Sequence, residues 1–199
     1  MKMAPPILFR FLPTDHGGEL RKKRKGRGAR ALAHRRSIHL MLRSSVAKGP
    51  LSMTYKSNRR RIDQFIESFT SQNGIQLISR ANVGNHIHLH IRLPEAHLVK
   101  RNKKAVLLGH RQLYKRFIRA LTGSIALTVM KQAGADLCKT FTHFWDQRPF
   151  SRIINTAKHW FNMVEYMQIN QLEGYGHDRA TARNILAVEY DRIHPPDTD

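Results

Sequence analysis

The chain has 199 residues, which suits one compact domain with appendages better than two full domains. Its 35 Lys and Arg against 14 Asp and Glu leave a formal net charge of +21, more than solubility requires, and point to a polyanionic partner, first of all nucleic acid. A single cysteine, Cys138, excludes an intrachain disulfide and a two-cysteine, two-histidine zinc finger, and no apolar run is long enough for a signal segment or a membrane span, so a protein of the reducing cytoplasm is the expectation.

Residues 1–20 carry Pro5, Pro6, Pro13, Gly17 and Gly18 and read as an irregular arm. Arg21, Lys22, Lys23, Arg24 and Lys25 follow. Such a block repels itself and has no apolar face, so alone it is expected to be disordered and to track a nucleic-acid backbone. The expected organisation is a basic arm over residues 1–35, a main domain over 36–176, and a C-terminal helix and tail over 177–199.

Ile38, Leu40 and Leu42 alternate with His39, Met41 and Arg43, the pattern of a first strand. Lys48-Gly49-Pro50 breaks it. Ile62, Phe65, Ile66 and Phe69 recur at the spacing of one helical stripe, and Asn73-Gly74 is a good stop. Residues 75–83 read as a second strand and 85–93 as a third, with Gly84 between them as a tight hairpin. A long basic segment begins at Glu95 and contains a second helical stripe, Leu113, Phe117, Ile118 and Leu121. Residues 141–154, rich in aromatics, read as a fourth strand with Pro149 as a break. Trp160, Met163, Val164 and Met167 form a third helical stripe ended by Gly174 and Gly176, and a last helix is expected over 179–192. The order β-α-β-β-α-β-α is the α+β, ferredoxin-like plan with an added terminal helix: an antiparallel sheet with helices packed on it.

The third strand carries the chemistry. Its apolar residues Ile87, Leu89 and Ile91 would face a core, while His86, His88 and His90 would project from the other face. Two imidazoles one pleat apart are well placed to hold one divalent metal. In the third helix, Tyr166 and Asn170 are four residues apart and project side by side, at the margin of the apolar stripe. A crossing near the third strand would add an amide oxygen and a phenol to the imidazoles. Arg43, on the histidine side of its strand, and Arg148 are candidate phosphate contacts. His90 is a candidate DNA contact or a support behind the metal ligands. Tyr175, between two glycines, is the rival to Tyr166, and Trp145 is either a base-stacking residue or core.

Asn85-His86-Ile87-His88 resembles the His-hydrophobic-His motif of HUH endonucleases, and Tyr166-Met167-Gln168-Ile169-Asn170 resembles the motif of their single-tyrosine branch. Phe144-Trp145-Asp146-Gln147-Arg148-Pro149-Phe150 resembles the aromatic strand before that helix. Over roughly residues 36–176 the chain is similar to transposases of small insertion sequences, most of all the REP-associated tyrosine transposases, although Gln171 stands where many of those have a proline. The resemblance implies cleavage and rejoining of single-stranded, hairpin-flanked DNA through a 5′-phosphotyrosine. It implies His86, His88 and Asn170 as ligands of Mg²⁺ or Mn²⁺ and Tyr166 as nucleophile. It leaves a homodimer and a monomer both open. Two other functions fit the residues: a non-catalytic module that binds hairpin DNA or RNA, and a nuclease that hydrolyses DNA with metal-activated water.

Overall fold

The computed structural model describes residues 16–17, 30–102, 104–133 and 143–193. The alternating segment after Arg36 forms β2 (Ser37–Arg43), with Ile38, Leu40 and Leu42 buried on one side. A turn of 3-10 helix at Gly49–Leu51 follows the expected break, and α1 (Lys56–Gln72) buries Ile62 and Ile66. Asn73 caps it, and Gly74 takes the left-handed φ of +61° that the stop predicts. The hairpin strands are β3 (Gln76–Asn82) and β4 (His86–Arg92). Gly84 between them has φ +97°, and the Val83 amide donates to the His86 carbonyl.

These strands lie in one antiparallel sheet with β7 (Phe150–Ile153) and a short edge strand β1 (His16–Gly17), in the order β1-β7-β2-β4-β3. The chain is therefore a mixed α+β structure in which β2 and β4 are central. Their register sets Arg43 opposite His86, Met41 opposite His88 and His39 opposite His90. Because β2 and β4 are in phase, Ile38, Leu40 and Leu42 fall on the same face as Ile87, Leu89 and Ile91, while Met41 shares the other face with the histidines.

That face forms the main core. Ile38, Leu40, Leu42, Ile87, Leu89 and Ile91 pack against Ile62 and Ile66 of α1 and against α2 (His110–Ala133), whose Phe117, Leu121, Ile125 and Val129 recur at helical spacing. Each such side chain contributes about 1.5–3 kcal/mol by leaving water. The opposite face carries the histidines and is covered by α3 (Ala157–Gly174), with a smaller apolar cluster of Ala81, Ile154, Met163 and Met167. Thr156 caps α3 by accepting from the His159 amide, and α4 (Arg179–Ile193) follows.

Three expectations need adjustment. The basic segment after Glu95 holds a second sheet, a hairpin of β5 (Ala96–Arg101) and β6 (Lys104–Gly109). The aromatic run before Pro149 is not strand over its described length: only Phe150–Ile153 pair, while Phe144 is buried and the Trp145 indole donates to the Thr122 carbonyl of α2. Trp145 is thus a packing residue, not a platform for bases. Arg30, expected in the arm, donates to the Pro149 carbonyl and Ser151 hydroxyl and ties its segment to β7. Arg21, Lys22, Lys23, Arg24 and Lys25, with Cys138, lie outside the described residues. Among the described residues no helix is long and apolar enough to cross a membrane.

Candidate active site

The pleat of β4 directs His86, His88 and His90 to the α3 side of the sheet. Met163, Met167 and Asn170 form the buried stripe of α3, which brings Tyr166 over the middle histidine. The Tyr166 hydroxyl lies 3.4 Å from His88 Nε2, and the two rings meet edge to face with centroids 5.2 Å apart. His86 and His88 rings are perpendicular, with centroids 4.7 Å apart.

Asn170 was expected at the margin of the helix contact. It is instead 2% exposed, three residues beyond Met167 on the same stripe. Its Nδ2 donates to the Tyr166 carbonyl, and its side chain lies beside His86 and favours the protonated form of that ring. One helical turn therefore supplies both the phenol beside His88 and the amide beside His86. The C-terminal end of α3 is seated closely on β3. A methyl group at Gly174 would run into the Asn82 carbonyl oxygen, so a side chain there would lift the helix off the sheet.

A fourth histidine completes the group. His39 projects from β2 to the same face, diagonal to His88, and its Nε2 lies 2.9 Å from His88 Nδ1. Its ring stacks on that of His88 and meets Tyr166 edge on. When His88 Nδ1–H donates to His39 Nε2, His88 keeps the lone pair of Nε2 on the Tyr166 side. In that arrangement His39 holds the tautomer of His88 that can bind a cation. Its position was legible in the alternation that places Arg43 on the histidine face.

Burial fixes the charge of the group. It pushes His88 down to about 2, with His39 and His86 adding repulsion. It pushes His39 down to about 4, helped by His90, His159 and Arg152. His86 is lowered by burial and then by Arg43, while Glu173 and the Asn170 side chain act in the other direction. At neutral pH these rings are neutral, the form that donates a lone pair.

The donor set fits a divalent cation. His86 Nδ1 is held by Asn85 Oδ1 at 2.6 Å and His88 Nδ1 by His39, which leaves an Nε2 on each. Asn170 spends its Nδ2 on backbone, which leaves its amide oxygen toward His86. Two imidazole nitrogens and one amide oxygen suit Mn²⁺ at least as well as Mg²⁺. Among the described residues no group of three or more His, Cys, Asp or Glu could hold a metal, so the amide is needed as third donor.

The remaining candidates separate. His90 is fully buried: its Nε2 bonds the Ser37 hydroxyl and its ring packs on Trp160 with centroids 4.6 Å apart. A DNA contact is therefore corrected to a packing role at the far end of the histidine row. Tyr175 lies under the Arg59 guanidinium, 4.8 Å from ring centre, instead of joining the histidines. Arg43 is exposed and paired with Asp146 at 3.7 Å, on the rim next to His86. Arg148 lines a shallow cavity beside Arg43 and Asp146.

No family model and no curated protein matches the chain. Among solved structures it is similar to a REP-associated tyrosine transposase bound to a REP hairpin, with 11% identity and a TM-score of 0.48 over 76% of this chain and 75% of that one. It is also similar to a candidate transposase from Deinococcus radiodurans R1, with 15% identity and a TM-score of 0.40 over 74% of this chain and 97% of that one.

Proposed function

We propose that this chain is a metal-dependent, single-tyrosine transposase that cleaves and rejoins single-stranded DNA, hairpin-flanked, through a 5′-phosphotyrosine. One observation carries the reading: the Tyr166 hydroxyl sits 3.4 Å from His88 Nε2 while Asn170, one turn further, meets His86. The motif residues, distant in sequence, converge from a strand and a helix on one point. The four-strand order β7-β2-β4-β3 supports the ferredoxin-like plan that goes with this reading.

In this function His86, His88 and Asn170 hold Mg²⁺ or Mn²⁺, which when bound polarises the scissile phosphate and offsets its developing charge. The Tyr166 oxygen attacks phosphorus, and the bond from phosphorus to the 3′-oxygen breaks. A proton leaves the phenol for solvent, and solvent supplies one to the departing oxygen. The products are a 5′-phosphotyrosine and a free 3′-hydroxyl. Because one phosphodiester replaces another, a different 3′-hydroxyl can reverse the step and join strands. The row of neutral rings beneath α3 keeps Tyr166 fixed and limits water, which favours strand transfer over hydrolysis. Arg43 and Arg148 face the DNA backbone at the rim, and the basic residues Arg21–Lys25 supply affinity that falls steeply with salt.

The test is incubation with end-labelled single-stranded DNA and Mn²⁺, followed by a denaturing gel. A label on the 3′ side of the break should travel with the protein and a label on the 5′ side should not. Cleavage in which neither label travels with protein would replace this reading with hydrolysis by activated water.

A further inference from the structure

Alternation on β2 and β7 creates a second feature of the histidine face. Met41 of β2 is paired with His88 on one side and with Phe150 of β7 on the other. Both point to the side of the sheet that carries the histidines, beyond the strip that α3 covers. They floor a cavity of about 230 Å³ walled by Arg43, Asp146, Gln147 and Arg148. That is smaller than the ~300–1,000 Å³ of sites for whole small-molecule ligands. Its lining combines one aromatic ring, one thioether and two guanidinium groups.

The wall is built rather than incidental. Asp146 Oδ1 accepts from the Ser45 amide at 2.7 Å and hydroxyl at 2.8 Å, and its Oδ2 pairs with Arg43. The Asp146 amide donates to the Arg43 carbonyl. The loop before β7 is thus clamped to the end of β2, and the one carboxylate is engaged. The two arginines leave the mouth cationic.

The cavity also communicates with the nucleophile. The Phe150 ring meets His39 edge on at 6.2 Å, and His39 meets Tyr166 edge on at 5.9 Å. One imidazole separates the cavity floor from the tyrosine. The floor is thus within one imidazole of the place where a phosphate at Tyr166 would lie, within reach of the adjoining nucleotide.

We infer that the Met41–Phe150 cavity is a subsite for one unpaired nucleotide flanking the scissile phosphate, the base stacked on Phe150 and its phosphate held by Arg43 and Arg148. This rests on the reading of Tyr166 as acting on single-stranded DNA. Aromatic stacking is tolerant of base identity and is worth ~1–3 kcal/mol per base, so the subsite holds the strand in line without by itself reading sequence. Its arginines add a salt-dependent part.

The experiment uses the full chain carrying Tyr166→Phe, which binds without the covalent step, and two probes: a thymidine 20-mer and an abasic 20-mer of equal charge. The thymidine strand should bind about tenfold more tightly, within the range for one stacked base. Phe150→Leu, which keeps an apolar residue in β7, should reduce that preference to about twofold or less. Arg148→Ala should weaken both probes alike and lower the salt slope by about one. A thymidine strand carrying 5-iodouracil should photocrosslink to Phe150 or Met41. An unchanged preference in Phe150→Leu, or crosslinks confined to residues outside the cavity, would overturn the subsite. A crosslink seen with a uridine RNA strand but not with the DNA strand would overturn its assignment to DNA. The adduct test on the unmodified chain is separate: loss of the adduct with the crosslink intact removes the transferase and leaves the subsite.

Discussion

The two faces of the central sheet are built from the same strands and do opposite things. On one, Ile38, Leu40, Leu42, Ile87, Leu89 and Ile91 meet α1 and α2 in a continuous apolar core. On the other, His39, His86, His88 and His90 meet α3 with only a small apolar cluster beside them. The second face is as buried at His88, 0% exposed, as the first is at Leu89, also 0%. Burial at Leu89 yields stability directly. Burial at His88 must be offset by its contacts with His39 and Tyr166. The core face thus supports neutral, positioned imidazoles that would not hold together on a free strand.

Substitutions on the two faces should separate these roles. Leu89→Ala should cost about 2–5 kcal/mol in denaturant unfolding, with the midpoint shifted and the slope unchanged. His88→Ala should lower the rate of adduct formation by about 10²–10³-fold, as read from single-turnover gels, by removing one charge-stabilising contact. If His88→Ala instead lowered stability as much as Leu89→Ala and left the residual folded protein fully active, the division between faces would be lost.

His39→Leu is a finer probe, because it leaves His86, His88 and Asn170 in place. Removing the acceptor for His88 Nδ1 releases the tautomer, and Mn²⁺ affinity by calorimetry should fall about 10–100-fold. His39→Gln, which can still accept a hydrogen bond, should recover part of it. Equal losses in both variants would mean that His39 acts by packing alone.

The pH dependence of stability probes the histidine face as a group. His39 and His90 are pushed down to about 4 and His88 to about 2, all mainly by burial. Unfolded, each returns to near 6.5. Below that value the unfolded chain takes up protons that the folded chain refuses. Metal-free stability should therefore be full above about pH 6.5 and fall toward pH 4, by roughly 1.4 kcal/mol per pH unit for each histidine. Leu89→Ala should shift this curve down without changing its shape, whereas His90→Gln should flatten it.

Much of this division was legible in the sequence. The alternation through Asn85-His86-Ile87-His88-Leu89-His90-Ile91 assigns each residue to its observed face, because a strand has period two whatever its partners are. The helical stripe of α3 is equally plain, but Asn170 reads as marginal because a polar residue in a buried stripe needs partners, and its own helix supplies only the Tyr166 carbonyl while His86 comes from the sheet. His39 shared Arg43's alternation, yet its bond to His88 depends on the β2–β4 register, which is a tertiary property. The β5–β6 hairpin was hidden because Leu98 and Leu107 pair across its exposed face while Val99 is buried on the other, which blurs the period. Phe144 and Trp145 have strand-forming character but are used to pack a loop on the core.

The most direct test of Tyr166 is to digest the protein–DNA adduct with protease and nuclease and sequence the modified peptide by mass spectrometry. A nucleotide phosphate on Tyr166, absent from the Tyr166→Phe protein, is the expected result. A phosphate on Tyr175, or an adduct that survives Tyr166→Phe undiminished, would contradict it.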